Sequence, residues 1–182
     1  MNKTIKNNGV LFGLILASWY SISTLLIFFF YQELFVNVYM GFTNTLVSLS
    51  VATISLLVAK KKLGGRITFK DAFTSYLIPI VMGLAALIIV SMILFNIVDP
   101  SMKEVFINMS IAFTKKNMGG LQVAPEAIES TIEQIKNTDN FSISNQFKAF
   151  AWKTLLYSIG GMLIALILRN QSEFSTAATP NQ

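Results

Sequence analysis

The chain has 182 residues, 53% of them hydrophobic and 13% charged, with no cysteine, no histidine and a net charge of +5. A soluble domain carries about 25% charged residues, so an ordinary soluble bundle is excluded. The missing Cys and His exclude disulfides, thiol nucleophiles, the commonest general base near neutral pH and the commonest metal ligand. The positive balance does not point to nucleic acid, because the basic residues flank apolar runs, as membrane-adjacent lysines do.

Four apolar runs, 9–30, 36–59, 73–98 and 150–168, hold no charge in their middles. About 20 helical residues cross a hydrocarbon core of about 30 Å, so each run is long enough to span a bilayer. The predicted fold class is all-α: an integral membrane four-helix transmembrane bundle with an extracytoplasmic helical hairpin between spans three and four. One membrane domain covers 1–169, and 170–182 is a polar tail read as disordered.

Lys3 and Lys6 precede the first run and imitate a signal peptide, but 9–30 is too long for an apolar signal core of about 7–15 residues. It is read as a retained first span. Lipid tails are as apolar as leucine, so helices associate where small residues let backbones approach. Span one carries such a stripe at Gly9, Gly13, Ala17 and Ser21. Trp19 and Tyr20 lie near its middle, where an indole N–H or a hydroxyl needs a partner. They are expected to pack between helices and bond a backbone carbonyl or a Ser or Thr.

After the short connection 31–35, span two repeats the stripe with Gly41, Thr45, Ser48, Ala52, Ser55 and Ala59. Its hydroxyls suit interhelical hydrogen bonds, bonds to their own backbone, or the lining of a polar path. No Asp, Glu, Lys, Arg or His lies between the span ends, which disfavours an ion or proton path.

The connection 60–72 carries Lys60, Lys61, Lys62, Arg66 and Lys70. Gly64-Gly65 marks a turn. Thr68 and Asp71 have capping-box spacing, so span three should begin near Phe69. Lys60–Lys62 with Arg66 are candidate contacts for anionic lipid headgroups, and no phosphate-binding loop is present. Span three places Ala72, Ser75, Pro79, Gly83 and Ala86 on one face. Pro79 removes a backbone hydrogen bond to Ser75 and should kink the helix.

The loop 99–149 reads as two helices. Asp99-Pro100 starts the first, whose apolar face carries Met102, Val105, Phe106, Met109 and Phe113; Gly119-Gly120 ends it. Pro125 opens the second, with Ile128, Ile132 and Ile135 on one face and Glu126, Glu129 and Glu133 on a solvated one. The hairpin caps the bundle, lies on the membrane or binds a partner; its candidate partner-binding residues are Phe106, Met109, Ile128 and Ile132. Residues 137–145 form a polar turn. Span four follows, with Ala151, Thr154, Ser158, Gly161 and Ala165. The residues expected to set helix packing are Gly13, Ala17, Ser48, Ala52, Gly83 and Gly161.

Eight basic residues sit at the termini and in 60–72, against six spread over the long, acid-containing loop. The dense short connection sets orientation, so both termini are expected in the cytoplasm and 31–35 and 99–149 outside. Tyr31, Tyr39, Trp152 and Tyr157 fall near the outer boundary and Tyr76 near the inner one, as an interfacial belt would place them.

The charged start, the Lys cluster closing span two, the stretch Gly64-Gly65-Arg66-Ile67-Thr68-Phe69-Lys70-Asp71-Ala72-Phe73 and the final Gly160-Gly161 span together resemble small bacterial membrane proteins grouped as domain of unknown function 4199, found largely in Bacteroidetes. The resemblance covers nearly all of the chain before the tail. It implies a four-span inner-membrane protein and supplies no activity, cofactor or catalytic residue. The expected function is a non-enzymatic structural or partner-binding membrane module; the alternative is a small-solute facilitator or transporter subunit. Expected partners are membrane lipids and either a second copy or another envelope protein, with no nucleic acid, metal or cofactor. An intramembrane enzyme is disfavoured, because Asp71 and Asp99 lie at opposite ends of span three.

Overall fold

A computed structural model of the chain describes residues 2–170. Among them there are helices and no strands, in the order α1 (Lys3–Phe30), a 3-10 turn (Gln32–Val36), α2 (Val38–Lys62), α3 (Phe69–Ile93), a π-helical turn (Leu94–Val98), α4 (Met102–Gly120), α5 (Pro125–Asn137) and α6 (Ile143–Leu168). Four helices are long and apolar enough to cross a membrane: α1, α2, α3 with its π turn, and α6. The chain is a multi-pass membrane protein. Residues 171–182, most of the expected tail, lie outside the described residues.

α3 is the hub, packing against α1, α2 and α6. Glycines explain how closely. A methyl at Gly13 would come within 2.5 Å of the Met82 sulfur, one at Gly83 within 2.6 Å of Leu16, and one at Gly161 would overlap the Tyr76 ring. Each helix backbone therefore lies directly against a large side chain of its neighbour, the arrangement that association in lipid favours. Ser48 and Ala52 are fully buried on α2, while Ala17 is half-buried. Tyr76, placed by its sequence position in the interfacial belt, is instead fully buried. The cleft at Gly161 accepts its ring, which makes it a core residue.

The bundle has two unlike ends. At the lysine-cluster end, Gly64 and Gly65 take φ of 75° and 83°, conformations that glycine adopts without steric cost. Their N–H groups donate to Lys61 and Lys60 carbonyls at 3.2 and 3.0 Å, closing α2 in a Schellman motif. Thr68 accepts from the Asp71 N–H at 3.2 Å, and α3 starts at Phe69 as the capping spacing predicts.

At the hairpin end, α3 runs into its π turn and then Asp99, which accepts from the Ser101 N–H at 3.1 Å. An aromatic cluster joins the hairpin base to the bundle: Phe95 stacks on Phe141 with ring centroids 3.7 Å apart, and Phe28, Phe35 and Phe106 pack edge-on around them. α6 begins at Ile143, well ahead of the apolar run at 150. Ser142 caps it, accepting from the Asn145 N–H at 3.3 Å, so the last three residues of the polar stretch read as a turn belong to the first helical turn.

Candidate functional site

Three places hold the residues that sequence reasoning singled out. The first is a polar ladder inside the lysine-cluster half. Pro79 lies buried within α3 and leaves the Ser75 carbonyl without its helical donor. The Ser55 hydroxyl of α2 donates to that carbonyl at 2.9 Å. Ser55 in turn accepts through its own carbonyl from Asn8 Nδ2 of α1 at 2.8 Å, and Lys62 Nζ donates to Asn8 Oδ1 at 3.0 Å. Three spans are thus tied by polar groups that have no water to turn to. Nearer the middle, the Tyr20 and Ser48 hydroxyls bond at 2.7 Å, and Trp19 Nε1 donates to Asn44 Oδ1 at 3.0 Å. Ser48 Oγ also donates to its own helix at the Asn44 carbonyl, 2.8 Å away. Ser75 Oγ, Tyr76 OH and Thr154 Oγ1 are buried without a partner.

The second is the basic connection. Lys60 Nζ donates to the Leu168 carbonyl at 2.8 Å, closing the end of α6, while Lys62 is engaged with Asn8. Lys61 and Arg66 are exposed. Two of the four candidate headgroup residues therefore hold helix ends together. Asn170, read as the first tail residue, is docked: its N–H donates to the Ile67 carbonyl at 3.1 Å, and its Oδ1 accepts from the Ile67 N–H at 3.0 Å. This pairing was invisible in sequence, because an Asn in a polar run carries no mark of a backbone partner about a hundred residues away.

The third is the hairpin. Phe106 is occupied in the aromatic cluster at the base. Met109 is half-buried on α4. Ile128 and Ile132 are half-buried on α5 and line an open groove of about 650 Å³ with Lys115, Pro125 and Glu129 among its walls. The base is fastened by Asp139: its carboxylate accepts from Lys103 Nζ of α4 at 3.1 Å and from the Phe141 N–H at 2.9 Å. Partial burial pushes this carboxyl up. The Phe141 N–H, Lys103 and the Ser142 N–H outweigh it and hold it below the usual Asp range.

Beneath the hairpin base lies a cavity of about 360 Å³ that the sequence did not reveal. Every span, the connection 31–35 and the loop 99–149 contribute to its wall, with Leu84 and Leu87 of α3 on one side and Asn37, Asn44 and Lys153 among the polar members. Among the described residues no group of three or more Asp, Glu, His or Cys is placed to hold a metal ion. The model of a family described as a protein of unknown function (DUF4199) matches residues 7–170. No curated protein and no solved structure matches the chain.

Proposed function

This chain belongs to the DUF4199 family, and on that premise we propose that it is a non-enzymatic module of a bacterial inner membrane, with both termini cytoplasmic, that engages another envelope protein through its hairpin. The observation that carries this reading is the division of labour along α4 and α5. Phe106 and Met102 fasten the base in the aromatic cluster, whereas α5 packs chiefly on α4 and leaves the groove at Ile128 and Ile132 open. A half-buried apolar groove on a projecting, helically rigid unit is the form in which a partner's helix is commonly received. Supporting the orientation, Lys60–Lys62, Arg66 and Lys70 cluster in one short connection.

In the host membrane, crosslinking followed by affinity capture should enrich one defined protein, and deletion of 101–137 should abolish the enrichment. A crosslinked species of twice the chain's mass would assign the groove to a second copy. Equal capture by the deletion variant would refute the reading. Transport along span two finds less support: Ser48 and Ser55 are fully buried and their hydroxyls are occupied by Tyr20, Asn44 and Ser75.

A further inference from the structure

We propose that the groove between α4 and α5 takes a partner helix whose apolar stripe is flanked by basic residues. This rests on the hairpin reading above and names the chemistry of the helix received there. Ile128 and Ile132, one turn apart on α5, supply the apolar floor. Glu129 and Glu133, which periodicity placed on a solvated face, line the same groove and are also one turn apart. Lys115 stands across from them on α4, and Lys136 lies toward the hairpin base. None of these four charges has an ion pair or a hydrogen bond with a described residue.

The acids set the sign of the occupant. Carboxylates four residues apart on a helix repel, and α5 carries Glu126, Glu129 and Glu133 against Lys136 alone. A cation laid between Glu129 and Glu133 relieves that repulsion, whereas an anion adds to it. An acidic helix is not drawn to an anionic bilayer, so a lipid surface is the wrong cover for this face. Charges at the rim of an apolar groove decide which helix fits more than how tightly it holds. Length follows from the lining, which runs from Pro125 to Lys136, about 16 Å of helix. The occupant is therefore an amphipathic helix of about three turns. Its apolar residues recur at three- and four-residue spacing, with Lys or Arg one turn apart on one flank.

The test uses the full chain in phosphatidylcholine nanodiscs, whose zwitterionic surface does not attract a basic peptide. Two stapled helical peptides of about three turns share one leucine stripe, flanked by lysine in one and by glutamate in the other. The lysine-flanked peptide should bind about fivefold tighter, the worth of two exposed ion pairs, and the margin should shrink in high salt. The double substitution Glu129→Lys with Glu133→Lys should invert the preference, a result that loss of folding cannot produce. Ile132→Ser should weaken both peptides alike. Equal binding of the two peptides, binding of neither, or a preference that survives the double reversal would overturn the proposal. A chain that is dimeric by light scattering and becomes monomeric on the double reversal would also overturn it, assigning the groove to a second copy. The hairpin reading is judged separately, by the capture lost on deleting 101–137; if that loss holds while the peptides bind alike, only the charge assignment falls.

Discussion

Ser55 shows how one hydroxyl settles a local problem in a membrane. Pro79 frees a carbonyl that no water can reach, and Ser55 from another span supplies the missing donor at 2.9 Å. Ser55→Ala should therefore lower thermal stability in detergent by about 1–3 kcal/mol, the cost of an orphaned buried acceptor. Pro79→Ala restores an N–H at the right place in α3. In the Ser55→Ala background it should recover most of that loss, and a double-mutant cycle by thermal melting reads the coupling. If the two substitutions simply add, the Ser55–Ser75 bond is not what Pro79 requires. Much of this was legible in sequence. The freed Ser75 carbonyl follows from Pro79 alone, and the small-residue stripes mark the packed face from Ser48 to Ala59 and at Gly161 and Ala165, whereas Gly41, Thr45 and Ala151 are exposed. What sequence could not supply was the pairing, because the relative heights of α2 and α3 depend on the Gly64-Gly65 turn geometry. Tyr76 was misjudged for a related reason: whether a tyrosine near a span end is at the interface or in the core depends on whether a neighbour leaves space for it, here Gly161.

At the scale of elements, the hairpin's attachment rests on a few polar contacts around a buried aromatic cluster. Asp139 joins α4 to the start of α6 through Lys103 and the Phe141 N–H. Its carboxyl is held below the usual Asp range in the folded protein, so the folded state favours the charged form. The attachment is then fully present above the unfolded value of about 3.9 and is lost as pH falls through the lower folded value. Protection factors of the first turns of α4, which remove the intrinsic pH dependence of amide exchange, should fall on acidification through that window, and Asp139→Asn should make them low and independent of pH. Unchanged exchange in the variant would mean that Phe95, Phe106 and Phe141 hold the base alone. Gly119-Gly120 and Pro125 delimit α4 and α5 as their chemistry predicts. The early start of α6 was hidden because Ser144, Asn145 and Gln146 are polar and extend no apolar run, while Ser and Asn are weak helix formers that are serviceable in a first turn capped by Ser142.

For the whole molecule, the four-span bundle was readable from hydropathy, whereas the cavity under the hairpin was not, since its wall is drawn from elements scattered along the chain. Orientation is the property most open to direct measurement. The chain has no cysteine, so single substitutions give labelling without background. Ser130→Cys on α5 should react with a membrane-impermeant maleimide in intact spheroplasts, and Lys61→Cys only after permeabilisation; the reverse pattern would invert the topology.

The central position of α3 bears on how the protein is made. The first two spans leave the ribosome before the helix that fills the notches at Gly9 and Gly13 with Ile78 and Met82. Until then those notches face acyl chains that fit them poorly. Insertion is thus a waiting game, in which a newborn pair is completed by its third member.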